Sequence, residues 1–403
     1  MKMQIKKYKK IILDIVLNIT ATAIPLIILQ LVVLPLIATK MSDELYGFTL
    51  TIISTITIIA SSLGNALNNV RLIKNRVYEE KGIQGDFSIL LLGELVIGCI
   101  TLVLSINQYK LEYIDVFLLI ILTFIWIARE YLIVTFRLEL NFKGIVINNI
   151  IMVVGYVVGL VLYSFTLYWQ YVYILGISFS LIYIIKHSDI ITEKIRITPL
   201  FKATFSELLF LIFASLINNL LNYADRIIIY PLIGGTAVSI YYASTLFGKI
   251  VSTAISPLNS VALSYLAKKN TLKKELFIKT LGFSVLVAIM GYIICRIIAL
   301  PVLNILYPDW AYQSIKYVPV TTCIAMVTMV TSVMSPFVLK FCSMKWQLVI
   351  NVTVLIIYLS MSIVLYKYWG LMGFCIGILI SNIAKFTIMF ILGLRASKEC
   401  QEI

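Results

Sequence analysis

The sequence has little charge and few side chains that ligate metals or act as nucleophiles. Only 13% of the 403 residues are charged, and His187 is the single histidine. The cysteines lie far apart without a CxxC pair, which argues against zinc, haem and thiol–histidine sites. They are Cys99, Cys295, Cys323, Cys342, Cys375 and Cys400. Because a GxxxxGK[ST] loop is also missing, the sequence predicts no ATP hydrolysis. It shows no nucleophile–base pair either, so we expect no enzyme and no cofactor.

What the sequence has instead is apolar residues in long runs. Hydrophobic residues make up 61% of the chain, and the mean hydropathy is +1.00. A soluble globular chain is about 45–50% apolar and about 25% charged. Many runs reach the roughly 20 residues that cross a bilayer as helix, and they do not alternate as the strands of a membrane barrel do. The composition predicts an all-α polytopic membrane protein.

The apolar runs predict about twelve transmembrane helices, which we number in chain order. The basic start followed by Ala21-Thr22-Ala23 also fits a signal peptide, but the apolar run continues well past that site. The helices are predicted at about 11–38, 46–68, 87–106, 113–136, 144–164, 169–186, 204–230, 237–266, 276–299, 316–338, 345–367 and 371–394.

The net charge of +14 is explained by topology. Most of the 33 Lys and Arg residues fall on alternate connecting segments, on the side that includes both ends of the chain. Because cytoplasmic loops carry the excess of Lys and Arg, we expect both termini to be cytoplasmic.

Short matches relate the two halves of the chain. Pro35-Leu36-Ile37 precedes Tyr46 at the same spacing at which Pro231-Leu232-Ile233 precedes Tyr242. Parallel repeats of this kind are typical of transporters. They predict a six-helix bundle over 1–187, a cytoplasmic linker over 188–203 and a second six-helix bundle over 204–403.

Polar residues form stripes on helices 1, 2, 7 and 8, and the repeat relates the first pair of helices to the second. Polar side chains facing lipid are costly, so these stripes are expected to face inward. They either line a hydrated lumen or hold helices together. The candidate lumen residues are Asn18, Gln30, Asn65, Asn218, Asn222, Arg226, Tyr242 and Lys249.

Two cations in these stripes suit an anionic ligand. Lys249 lies about twelve residues below the outer end of helix 8, or roughly 18 Å at the helical rise, and Arg226 lies nearer the outer face. Arg offers a planar fork to phosphate oxygens and Lys a point charge. The alternative for both is a buried ion pair, with Asp225 as the nearest acid to Arg226.

A second set of charges lies on helices 3 and 4. Glu94 and Arg129 are each about seven residues from the inner ends of their helices, and this matching depth predicts an ion pair, with Glu130 as a competing partner. The pair is expected to be structural or to act in gating, and proton coupling through Glu94 is the alternative.

The segment from helix 7 to helix 8 resembles the same region of polysaccharide flippases. It reads NYADRIIIYPLIGGTAVSIYYASTLFGKI, with an Asp225-Arg226 pair, an apolar strip, Gly234-Gly235 and Tyr241-Tyr242-Ala243. LNILYPDWAYQS is similar to that family's short outer loop between helices nine and ten. YWGLMGFCIGILIS is similar to its start of helix twelve.

This resemblance implies membership of the multidrug/oligosaccharidyl-lipid/polysaccharide exporter superfamily. It implies two bundles arranged as a V, as in the multidrug exporters, and alternating access through helices 1, 2, 7 and 8. The implied substrate is an undecaprenyl-diphosphate-linked oligosaccharide for O-antigen or capsule, moved to the outer leaflet of the bacterial inner membrane. Implied partners are the phospholipid bilayer, a polysaccharide polymerase and chain-length proteins, without nucleic acid.

Other functions compete with this one. A cation-coupled multidrug exporter of the same superfamily would be favoured by an anionic lumen. Peptidoglycan-precursor flippases usually have fourteen helices. A channel, or a membrane scaffold of a polysaccharide assembly complex, needs no coupling residues and would tolerate a neutral side chain at Lys249.

Overall fold

The protein is built of helices. A computed structural model describes residues 23–248, 250, 274–341 and 344–399. Within those ranges the chain forms helices and short connections and contains no strand. The predicted all-α class is therefore confirmed, and the helices coincide with the apolar runs.

Twelve helices of ten or more residues occur in the described part of the chain. The bounds are α1 Ala23–Ala38, α2 Asp43–Lys81, α3 Asp86–Ile106, α4 Tyr113–Leu138, α5 Phe142–Thr166, α6 Gln170–Lys186, α7 Phe201–Ile233, α8 Gly235–Ser244, α9 Lys274–Leu306, α10 Val318–Phe341, α11 344–368 and α12 371–399. α1 contains a π-helical turn at Leu29–Val33. Helical residues also follow Ser244 at the end of α8, and a kink with non-helical backbone joins α11 to α12.

Glycines with positive φ separate two pairs of helices. Gly234, with φ 105°, lies between α7 and α8, and Gly370, with φ 56°, lies at the kink between α11 and α12. Residues with a Cβ rarely adopt this backbone geometry. Pro231 lies inside the last turn of α7, which ends at Ile233. A proline there removes one backbone hydrogen bond close to the helix end.

The chain divides into two compact units. Unit 1 contains the described residues up to Met41 together with Thr49–Ile227, and unit 2 contains Ser42–Phe48 and the described residues from Ile228 onward. α2 and α7 therefore contribute residues to both units. The bundle boundaries at 187 and 204, which follow the internal repeat, stay a prediction.

In unit 1, a buried apolar cluster joins residues from α2 to α7, including Leu67, Leu90, Tyr131 and Leu208. α5 and α6 approach closely through small residues. A Cβ on Gly155 would lie 2.6 Å from the Leu175 carbonyl oxygen. Small residues allow helix backbones this near one another in membrane proteins.

A buried acid of α3 accepts hydrogen bonds from the segment between α6 and α7. Asp86, at the start of α3, accepts hydrogen bonds from the Tyr78 hydroxyl at 2.7 Å and the Thr198 backbone N–H at 2.8 Å. The Thr198 hydroxyl also donates to Asp86. Nearby, the Arg71 guanidinium forms an ion pair with Glu193. The predicted linker at 188–203 thus belongs to unit 1 and is bonded to it by side chains of α2 and α3.

In unit 2, the first turn of α2 packs into a cluster of aromatic rings. Tyr46 is fully buried, its ring centroid lies 5.0 Å from that of Trp310, and its hydroxyl lies 3.2 Å from the Tyr307 hydroxyl. Glu44 accepts hydrogen bonds from the backbone N–H groups of Gly235 at 2.8 Å and Thr236 at 3.0 Å. Glu44 therefore caps α8, since a carboxylate suits the unpaired N–H groups of a helix start.

Candidate functional site

The polar stripe of α7 has an open part and a packed part. Asn218 and Asn222 are exposed, and the Asn222 amide donates to the Asn218 carbonyl oxygen at 2.8 Å. Both lie within a helix long and apolar enough to cross a membrane. Because amide side chains facing lipid are unfavourable, this face of α7 suits contact with water or a polar ligand.

The packed part of the stripe contacts α2. The Asn219 amide donates to the Ser62 hydroxyl at 3.0 Å, and the Ser215 hydroxyl donates to the Ser61 carbonyl oxygen at 3.5 Å. Polar residues that join helices in this way are common in membrane bundles. Ser215 and Asn219 thus hold helices together, whereas a lumen at Asn218 and Asn222 stays a prediction.

Arg226 lies further along α7, where the helix also contacts α2, and it is 5% exposed. Its guanidinium donates to the Ser54 hydroxyl of α2 at 2.9 Å, and the Thr51 hydroxyl donates to the Arg226 carbonyl oxygen at 3.4 Å. Asp225 accepts from the Arg226 backbone N–H at 2.9 Å, and its carboxylate lies 4.0 Å from the Arg226 Nε. In this structure Arg226 is held between α2, Asp225 and the Tyr223 ring, 6.0 Å away.

The remaining lumen candidates occupy different settings. Gln30 is half-buried in the π-helical turn of α1, and Asn65 is half-buried on α2. Tyr242 is 2% exposed, with its ring centroid 6.3 Å from that of Tyr46. Lys249 and Asn18 lie outside the described residues. Whether these residues line a common lumen stays a prediction.

The predicted ion pair between Glu94 and Arg129 is wrong. The Arg129 guanidinium donates to Glu130 at 2.8 Å, to the Asn149 side-chain oxygen at 3.0 Å and to the Ser180 hydroxyl at 3.2 Å. Both carboxyl oxygens of Glu94 are buried without a hydrogen-bond partner among the described residues. The competing partner, Glu130, forms the pair instead.

Rotation about the helix axis explains the error. Equal depth places two residues at one level, but it does not set the direction in which each side chain points. Successive residues are about 100° apart around a helix, so Arg129 and Tyr131 point to nearly opposite sides of α4. Tyr131 joins the buried cluster that includes Leu90 of α3, whereas Arg129 meets Asn149 of α5 and Ser180 of α6.

The sequence interpretation overlooked the partners of Arg129. Asn148 belongs to the same network, because its amide donates to the Ser180 carbonyl oxygen at 2.8 Å and its oxygen accepts from the Ser180 hydroxyl at 2.8 Å. The adjacent Asn148 and Asn149 in an otherwise apolar helix were the available signal. A buried amide needs partners, so such a pair marks an internal polar network.

No family model matches the sequence, and no curated protein matches it. Comparison with solved structures, in contrast, finds membrane transport proteins with a similar fold. An inward-facing multidrug resistance MATE family transporter of the MOP superfamily matches with a TM-score of 0.68 at 13% identity, covering 96% of this chain and 99% of that one. A structure of MATE in complex with MaL6 matches with a TM-score of 0.68 at 15% identity, covering 97% of each chain.

A flippase shares the same fold. Lipid II flippase MurJ in an inward closed conformation matches with a TM-score of 0.70 at 12% identity, covering 97% of this chain and 89% of that one. At these identities the similarity establishes the fold, and one fold can serve different functions. The chain is thus an all-α, multi-span membrane protein with the fold shared by MATE transporters and MurJ.

Proposed function

We propose that the protein is a flippase that moves an undecaprenyl-diphosphate-linked oligosaccharide from the cytoplasmic to the outer leaflet. It would act by alternating access in the bacterial inner membrane, with both termini cytoplasmic, in O-antigen or capsular polysaccharide synthesis. The observation that carries the proposal is the exposed Asn218 and Asn222 pair within the membrane span of α7. A face of this kind suits a sugar, which offers many hydroxyl groups to amide donors and acceptors.

The chemistry of the substrate matches other residues of the chain. A diphosphate carries negative charge, and Lys249 and Arg226 are the cations proposed to meet it. Arg226 now donates to Ser54, so binding phosphate would require Arg226 to exchange that partner. Asp225 is proposed to act in this exchange, because its carboxylate is the acid nearest the guanidinium.

The lipid part of the substrate requires an apolar environment. Unit 2 contains a cavity of about 440 Å³ with an apolar lining that includes Tyr292, Met326 and Phe386. Such a lining suits a hydrocarbon chain, since burying apolar surface is favourable. The cavity supports a lipid-linked substrate, and the polyprenyl chain also has the surrounding bilayer available to it.

The proposal is tested in proteoliposomes supplied with undecaprenyl-diphosphate-linked oligosaccharide, where arrival in the opposite leaflet is measured. In cells, Lys249→Ala is expected to reduce surface polysaccharide while the amount of protein stays unchanged. Lys110→Ala, on an exposed connection, is the matched control and is expected to have no effect. Normal surface polysaccharide in the Lys249→Ala strain would remove Lys249 from the mechanism.

A multidrug exporter is the second candidate, because MATE transporters share the fold. Export of cationic dyes by the protein, without movement of the lipid-linked oligosaccharide, would favour it. A channel or a scaffold for a polysaccharide polymerase and chain-length proteins predicts transport of neither substrate by the purified protein.

A further inference from the structure

Glu94 is a buried acid that has no partner in the described part of the chain. It lies on α3, inside a helix long and apolar enough to span the membrane, and it is 3% exposed. Both carboxyl oxygens lack a hydrogen-bond donor among the described residues. An ionised carboxylate in such a position would lose its hydration without replacement, which is strongly unfavourable.

Two other acids in the interior of unit 1, in contrast, accept hydrogen bonds. Asp86, on the same helix, accepts from the Tyr78 hydroxyl and from the N–H and hydroxyl of Thr198. Glu130 accepts from the Arg129 guanidinium. Buried acids with a structural role are normally satisfied in this way. Glu94 therefore differs from these two acids, and this difference points to a different role.

The described surroundings of Glu94 are apolar apart from one hydroxyl group. One turn further along α3, a Cβ on Gly98 would meet the side chains of Ile127 and Leu63, so this face packs on α4 and α2. The Tyr131 hydroxyl, one turn beyond Ile127, is also buried and lacks a hydrogen-bond partner.

Two interior arginines on the elements around Glu94 are already paired with acids. Arg71 of α2 pairs with Glu193 of the connecting segment, and Arg129 of α4 pairs with Glu130. Tyr131 interacts electrostatically with Arg71, Glu193 and Glu94, so these groups share one region. The described neighbours thus offer Glu94 an apolar wall and one hydroxyl.

We propose that Glu94 binds and releases the proton that couples transport to the proton gradient, an inference that rests on the proposed function for its coupling step. In the conformation described, the carboxyl holds its proton in a covalent O–H bond. When the helices rearrange and water reaches the site, that bond breaks, its electron pair stays on the carboxylate and the proton passes to water. The new carboxylate then takes hydrogen bonds from the water that entered.

Infrared difference spectroscopy on the purified full-length protein tests protonation without any substrate. The wild type is expected to show the carbonyl band of a protonated, unhydrated carboxyl at neutral pH, and Glu94→Gln is expected to lose it. Glu130→Gln is the control and leaves the band in place, because the Glu130 carboxylate accepts from a guanidinium. Absence of the band in the wild type, or its persistence in Glu94→Gln, would overturn the proposal.

Transport tests coupling. In proteoliposomes with an imposed pH gradient, wild-type transport of the lipid-linked oligosaccharide should vary with the gradient, and Glu94→Gln should lose that dependence. Glu94→Asp, which keeps a carboxyl, should retain it. Wild-type transport that ignores the gradient would reject proton coupling and leave the flippase intact. If the wild type moved no oligosaccharide at any pH, the proposed function would fail, while the infrared result would still decide protonation.

Glu94→Gln is expected to fold normally, since a neutral amide replaces a neutral carboxyl of nearly the same shape.

Discussion

Replacing Asp86 with alanine should release the segment between α6 and α7 from unit 1. The side chain is completely buried and accepts three hydrogen bonds, one from the Tyr78 hydroxyl and two from Thr198. In the alanine variant, these donors would remain buried without their acceptor. The backbone of Arg196 also lies against the start of α3, since a Cβ on Gly85 would be 2.6 Å from the Arg196 carbonyl oxygen.

The size of the effect follows from the three bonds. Hydrogen bonds to a charged group contribute about 1.5–3 kcal/mol each, but contributions from one network do not add fully. We therefore expect Asp86→Ala to shift the opening equilibrium of this segment by at least about 3 kcal/mol, or about a hundredfold at 1.4 kcal/mol per factor of ten. Asp86→Asn, which keeps the shape and an acceptor oxygen, should have a smaller effect.

Limited trypsin digestion measures that equilibrium. Lys194 and Arg196 have exposed side chains in the segment. Cleavage after either residue yields one fragment that contains α1 to α6 and a second fragment that begins just before α7. When opening is fast, the cleavage rate follows the population of the open form. Asp189→Ala, at an exposed position of the same segment, is the control and should cleave like the wild type. Equal cleavage rates for Asp86→Ala and Asp189→Ala would refute the reasoning.

Two further predictions concern packing. Tyr46→Phe removes the hydroxyl that contacts Tyr307 and should lower the free energy of unfolding by about 0.5–1.5 kcal/mol. Tyr46→Ala also removes a ring from the aromatic cluster and should lower the free energy of unfolding by about 3–5 kcal/mol. Equal losses, measured by denaturant unfolding in mixed micelles, would contradict this. Gly155→Val should prevent α5 and α6 from packing, because even a Cβ at this position would lie 2.6 Å from the Leu175 carbonyl oxygen. The variant should therefore lose the monodisperse protein peak in size-exclusion chromatography. Gly93→Val is the matched control, since a Cβ there meets nothing within 4 Å, and an unchanged peak in both variants would contradict the prediction.

The positions of the helices were predictable because hydrophobicity sets them. The predicted helix at 87–106 corresponds to Asp86–Ile106, and the one at 113–136 to Tyr113–Leu138. α2 was predicted to end at 68 but continues to Lys81. Hydropathy marks the part of a helix that suits lipid, and a polar extension stabilised by pairs such as Arg76 with Glu80, at 2.7 Å, leaves no such mark.

The pairing of side chains was much less predictable. The polar stripe on α7 was visible in the sequence, but not that Asn219 would face Ser62 while Asn222 stayed exposed. Asp86 and Thr198 are 112 positions apart, and no local pattern connects them. Such contacts depend on how each helix is rotated and tilted, which is set by packing of the whole unit and not by any one segment.

The short stretch Ser42–Phe48 precedes most of unit 1 in the chain but is grouped with unit 2. A protein cut between α6 and α7 would carry Tyr46 on its first piece and Trp310 on its second, so the ring stack would be complete in neither. The packing of unit 2 thus depends on a short stretch that is made early in the chain, together with residues more than 260 positions later.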